Sequence, residues 1–185
     1  MDAATIDAAR LGNRAARASL LGSLQDPWYR FSLSLLRDPE RARDAVQETA
    51  VRFLRQLPSF RGESQIRTWS LGIALNVVRE MRRKRRSDAA LPEDDTVAMT
   101  SPGGIGREAQ TPGGAADLSE QREQLREVLD QLPDRQREAL LLRFFEDLSV
   151  EETAKAMDCA AGTVKATVHQ ALATLRKKLK VAVPR

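Results

Sequence analysis

Residues 67–88 read RTWSLGIALNVVREMRRKRRSD. At 100° per residue, Ile66, Ile73 and Val77 fall on one flank of a helix and Leu71, Leu75 and Val78 on another, so the segment is wedged among neighbouring elements. Between those flanks runs a stripe of Trp69, Gly72, Asn76, Arg79 and Arg83, with Arg86 at its edge. The helix ends in six cations within eight positions (Arg79, Arg82, Arg83, Lys84, Arg85 and Arg86). A helix C-terminus favours one or two cations, not six. An aromatic ring, an amide and guanidinium groups in a row suit a nucleic-acid strand: the ring stacks on an unpaired base, the amide bonds a base edge and the cations hold phosphates.

Upstream, DPWYRFSLSLL and DPERARDAVQETAVRFLRQL each open with Asp-Pro. An N-cap acid followed by proline at the first helical position predicts that each pair starts a helix. Val46, Ala50, Phe53, Leu54 and Leu57 recur at helical spacing and predict a core-facing stripe that Pro58 ends. A short loop, PSFRGES, leads into the basic helix. The first 24 residues form an N-terminal helical extension in this scheme, and residues 25–86 the first domain.

Downstream, residues 87–117 hold three prolines and five glycines, with six acidic residues against Arg107 alone. They read as a flexible acidic linker, which spans ~30 Å as a coil and up to ~100 Å when stretched. The second domain, 118–185, follows. Leu125, Val128, Leu129 and Leu132 lie at i, i+3, i+4, i+7, and Pro133-Asp134 restarts a helix through REALLLRFF. Ser149 and Glu152 form a capping-box pattern at the head of the next helix. After Met157 a short DCAAG turn leads into TVKATVHQALATLRKKL, with Val164, Val168, Ala171, Leu172, Leu175 and Leu179 on one side. No run alternates with period two, so the prediction is an all-α fold of two small helical domains.

Two helices joined by a short turn, the second with one apolar and one polar-basic stripe, have the pattern of a helix-turn-helix. Lys165, His169 and Thr167 or Gln170 are the side chains placed for base edges, and Thr163, Arg176 and Lys177 for phosphates. The alternative is a capped helical hairpin with a solvated basic face.

Function classes narrow accordingly. One cysteine, Cys159, and one histidine, His169, exclude a disulfide scaffold and a zinc site. No nucleophile–base pair or glycine-rich phosphate loop is present, so no enzyme and no cofactor is expected. The first twenty residues lack the continuous apolar core of a secretory signal or membrane span, so the expected location is the cytoplasm, without membrane insertion.

Three segments in order carry a family resemblance. DAVQET (44–49), FRGESQIRTW (60–69) and LSVEETAKAMDCAAGTVK (148–165) resemble the polymerase-docking, −10-element and −35-element signatures of the extracytoplasmic-function (ECF) sigma factors of the sigma-70 family. The resemblance implies two domains, sigma2 and sigma4, that bind core RNA polymerase through the clamp helices of its β′ subunit and the flap of its β subunit and place it on promoter DNA. Asp44, Gln47 and Glu48 would dock on the clamp helices. Asn76, with the loop Phe60, Arg61, Gly62, Glu63 and Ser64, would capture an extruded base of the −10 element, with Trp69, Arg79, Arg83 and Arg86 supporting strand opening. Lys165, Ala166 and His169 would read the −35 element, and an anti-sigma factor is an expected further partner. Arg41 and Arg43 depart from the family pattern by placing cations before DAVQET, at the docking face that the resemblance implies. The competing expectation, from another class, is a stand-alone helix-turn-helix regulator.

Overall fold

The two Asp-Pro pairs have different fates in the computed structural model, which describes residues 2–89 and 127–182. Asp38-Pro39 starts a helix as expected: the Asp38 carboxylate accepts from the amides of Glu40 and Arg41, and α3 runs Pro39–Gln56. Asp26-Pro27 does not. Helix α2 (Arg14–Leu36) begins at the cap residue Asn13 and carries Pro27 in its interior. Proline there gives up one ladder bond, a cost of about 3 kcal/mol in an isolated helix. Against it stands one continuous buried face on both sides of the proline, with Leu20, Leu24, Trp28 and Phe31 at 0–2 % exposure. At about 1.5–3 kcal/mol for each large apolar side chain, packing wins.

The remaining elements of the first unit are α1 (Ala3–Arg10), capped by Asp2, a 3₁₀ turn (Leu57–Ser59), and α4 (Ile66–Ala89). Helix α1 is tied to α2 by Arg17, whose Nε donates to the Ala9 carbonyl at 2.9 Å. The expected boundary after residue 24 falls inside α2, where Leu20 and Leu24 are fully buried, so residues 14–24 belong to the bundle. Helix α4 continues through residue 89, three residues into the stretch read as linker; residues 90–117 lie outside the described residues.

The buried stripe of α3 also differs from the expected one. Ala42, Ala45, Thr49, Phe53 and Leu57 are buried, while Val46, Ala50 and Leu54 are half-exposed flanks. Small residues face inward where helix backbones approach, and the hydroxyl of Thr49 is satisfied by the Ala45 carbonyl at 2.6 Å. On α4 both expected flanks are buried, from Ile66 to Val78.

The chain divides into two units, and the second has its own core. A helical turn at 127–130 leads through Pro133 into α5 (Asp134–Leu140), which widens into a π-helical turn (Leu141–Phe145). The Glu146 amide reaches back five residues to the Leu141 carbonyl. That turn replaces the end of the uniform helix expected through REALLLRFF and leaves Phe144 and Phe145 more than half exposed. Helices α6 (Val150–Met157) and α7 (Ala161–Ala182) follow. Val128, Leu129, Leu132, Leu140, Ala171 and Leu175 form the core, flanked by Val168, Leu172 and Leu179. Leu125 lies outside the described residues. Among the described residues there is no strand, and no helix is long and apolar enough to cross a membrane.

Candidate nucleic-acid and polymerase interfaces

The loop before α4 is shaped by two residues. Gly62 has φ +73°, a left-handed conformation that favours glycine, and Phe60 turns its ring inward to 7 % exposure. There Phe60 meets Trp69 at 5.0 Å between ring centroids; Trp69 meets Phe53 at 5.5 Å, and Phe53 meets Trp28 at 5.4 Å. These tilted contacts are the favourable geometry for aromatic pairs. Trp69 is therefore the outer end of a buried aromatic row. Its half-exposed ring borders the stripe, and Phe60 serves as support beneath the loop while Arg61, Gly62 and Glu63 are exposed and Ser64 is half-buried.

Two recesses flank this framework. One, of about 490 Å³, lies between α1 and the loop, with Asp7 and Arg10 facing Arg61, Gly62, Ser64 and Arg67. Arg10 Nη1 holds Asp7 at 3.1 Å, whereas Arg10 Nε is buried with no hydrogen-bond partner. The other, of about 400 Å³, lies between α3 and α4 and is lined by Arg52, Gln56, Ile73, Asn76, Arg79, Glu80 and Arg83. Asn76 is exposed there beside two members of the arginine stripe. The loop and Asn76 thus border different recesses, and the two share no lining residue. Farther along the same helix Arg86 is exposed.

Asp44, Gln47 and Glu48 are exposed together on α3, one helical turn apart. The two arginines upstream of them are not equivalent. Arg43 pairs with Glu40 on its own helix, and Arg41 instead sends Nη2 to the Met81 carbonyl at 3.0 Å, tying α3 to α4. Arg41 therefore acts as a packing residue, which answers half of the charge reversal seen in the sequence.

Arg52, not among the residues singled out from sequence, engages two carboxylates on this surface. Its Nη1 and Nη2 donate to the two Glu80 oxygens at 2.8 and 2.7 Å, and its Nε donates to Glu48 Oε1 at 2.6 Å. The bonds from Arg52 hold the Glu80 carboxyl below the usual carboxylate range, and Glu80, then Glu48, raise Arg52 in turn. Glu48 and Arg52 are visible in sequence as an i, i+4 pair; Glu80 is 28 residues away, and only the packing of α3 on α4 brings it in.

In the second unit the capping box forms as expected. The Glu152 amide donates to Ser149 Oγ at 3.1 Å and the Ser149 amide to Glu152 Oε2 at 2.9 Å. The turn before α7 passes through Asp158 in a left-handed conformation, φ 52°. On α7, Thr163, Lys165, Ala166, His169, Gln170, Arg176 and Lys177 are exposed and Thr167 is half-buried, while Val164, Ala171 and Leu175 are buried. The polar-basic face expected from the spacing is thus the solvent face of the helix.

The description "Sigma-70 region 2" matches residues 20–87, and "Sigma-70, region 4" matches residues 122–175. The chain is 36% identical over 151 residues to the ECF RNA polymerase sigma factor EcfG of Rhodopseudomonas palustris, covering 82% of this chain and 78% of that one. The chain belongs to the ECF sigma factors of the sigma-70 family. ECF sigma factor SigX of Bacillus subtilis is 31% identical over 83% of this chain and 78% of its own length. Among solved structures, the sigma factor RpoE in complex with the anti-sigma factor NepR from Bartonella quintana aligns with a TM-score of 0.64 at 27% identity, covering 89% of this chain and 96% of that one. CnrH, in complex with the cytosolic domain of CnrY, shares the fold with a TM-score of 0.70 at 22% identity, covering 97% of each chain.

Sigma factors are transcription initiation factors rather than enzymes. In this one, the region 2 match starts within α2 and leaves α1 outside, although α1 walls the recess at the loop. The region 4 match ends at Leu175 within α7, just short of Arg176 and Lys177.

Proposed function

We propose that this sigma factor binds core RNA polymerase and directs it to two-part promoters, with α7 reading the −35 element and α4 with the preceding loop opening and holding the −10 element. The observation that carries this reading is the α4 stripe. Asn76 stands exposed between the half-exposed Trp69 and the cations Arg79, Arg83 and Arg86, all on one helix whose other faces are buried. An amide supplies base selectivity and arginines supply phosphate affinity. Extruding a base costs a few kcal/mol, which stacking and hydrogen bonds in a recess offset.

Asp44, Gln47 and Glu48 serve as the docking group for the β′ clamp helices, the region 4 unit engages the β flap, and residues 90–117 act as the linker between the two DNA-reading units. An anti-sigma partner fits the same reading, since the Bartonella quintana relative was solved with one. The working compartment is the cytoplasm, where polymerase and promoter are.

Run-off transcription with core polymerase tests the proposal. The full chain supports promoter-specific initiation only after core is added, and Asn76→Ala lowers open-complex formation more than duplex binding. A chain that shifts duplex DNA alone and gives no specific transcript with core is a stand-alone regulator instead. Equal loss of both activities in Asn76→Ala removes base capture from the account.

A further inference from the structure

Arg52 stands between the two surfaces of the first unit that the proposed function uses separately. Glu48 belongs to the exposed docking group on α3, and Glu80 and Arg52 both line the recess that holds Asn76. The same guanidinium bonds both carboxylates, Glu48 through Nε at 2.6 Å and Glu80 through the Nη fork at 2.7 and 2.8 Å. A planar fork bidentate to one carboxylate with its third edge on another is a rigid arrangement. Two carboxylates on one guanidinium leave that group with a net charge of −1, beside a recess whose other lining residues, Gln56, Ile73, Asn76, Arg79 and Arg83, include two cations. Glu48 thus lowers the attraction that Arg79 and Arg83 offer a phosphate at Asn76, an effect that salt screens.

We propose that Glu48 and Arg52 form a charge gate that makes strand binding at the Asn76 recess conditional on polymerase docking. In the free chain Glu48 and Glu80 together over-neutralise Arg52. When donors on the docked polymerase take up Glu48, Arg52 keeps Glu80 alone, the group becomes neutral, and the recess is one unit more positive toward the DNA backbone. Arg52 is thereby a positioning residue for the strand, and Glu48 reports the docked state to it through one hydrogen bond. The gate rests on the reading of α3 as the docking face and of the Asn76 recess as the strand site.

The test is fluorescence anisotropy of a labelled unpaired oligonucleotide titrated with the full-length chain, without polymerase, at several salt concentrations. Glu48→Gln removes the charge but keeps an acceptor near Arg52, and it tightens binding by about two- to fivefold at low salt, less at high salt. The gain disappears when Arg52→Ala is added. Glu40→Gln, which removes an exposed carboxylate from the same helix without touching Arg52, leaves binding unchanged. An equal gain from Glu40→Gln, or a Glu48→Gln gain that survives Arg52→Ala, reduces the effect to bulk charge and overturns the gate. No gain from Glu48→Gln, while Asn76→Ala still weakens binding, overturns the gate and leaves the strand site standing. If Asn76→Ala has no effect either, the strand site falls and the gate with it.

Discussion

Trp28 Nε1 donates a hydrogen bond to Ser70 Oγ at 3.0 Å, joining α2 to α4 across 42 residues at positions with no solvent exposure. Ser70 Oγ is itself oriented by donating to the Arg67 carbonyl at 2.8 Å. A buried indole N–H without an acceptor costs about 1–3 kcal/mol. Ser70→Ala therefore destabilises the first unit by about that amount, read as a lower urea midpoint with an unchanged slope. Ser70→Thr, which keeps the hydroxyl, recovers part of the loss.

Glu80 makes the first unit sensitive to acid. Its carboxyl lies below the usual range because Arg52 bonds the charged form, so in acid the unfolded chain binds the proton more readily than the folded one. The stabilisation is complete above the unfolded value, about 4.3, and is lost as pH falls through the lower folded value. Glu80→Gln is thus less stable than the parent at neutral pH, and the gap narrows below about pH 4. Denaturant titrations of both chains at neutral and acidic pH check this; a constant gap rules out the carboxylate as its source.

Ser149→Ala removes the hydroxyl that accepts from the Glu152 amide, at about 0.5–2 kcal/mol. The loss is confined to the head of α6. Amide exchange measured residue by residue shows it as faster exchange at Glu152, with the core amides of α7 slowed no less than before.

In the proposed reading of α7, Lys165 and the pair Arg176 and Lys177 make two kinds of DNA contact. Lys165→Ala weakens binding of the holoenzyme to its −35 element by about 1–3 kcal/mol and relaxes preference at one position. Arg176→Ala or Lys177→Ala weakens all sequences alike and lowers the salt dependence by about one counterion. Footprinting across a −35 library distinguishes them, and an unchanged footprint for Lys165→Ala removes its base-reading role.

How much was legible in the sequence depends on how local the deciding interaction is. The Ser149–Glu152 box, the Asp38 cap and the apolar side of α7 involve partners within a turn or two, and their spacing is readable. Asp26-Pro27 carries the same local signal as Asp38-Pro39, yet the buried run from Leu20 to Phe31 overrides it, and that run gains its weight only once α3 and α4 pack against it. The α3 stripe was expected on its bulky residues, whereas close helix approach selected Ala42, Ala45 and Thr49. Of the candidate sites, the exposed faces of α4 and α7 were readable from periodicity. The pairing of Arg52 with Glu80 and the wall that α1 adds to the loop recess were not, because both arise from elements brought together by the fold.

The aromatic row through Phe53 gives the chain a built-in optical label. Its two tryptophans are both in that row, and its single tyrosine, Tyr29, is the neighbour of Trp28. The second unit contributes neither chromophore. Intrinsic emission from the intact chain therefore reports the region 2 bundle alone, with no label attached, while far-ultraviolet dichroism sums both units. Denaturant-induced changes of the isolated chain seen by one and not the other can be assigned to a domain without cutting the chain.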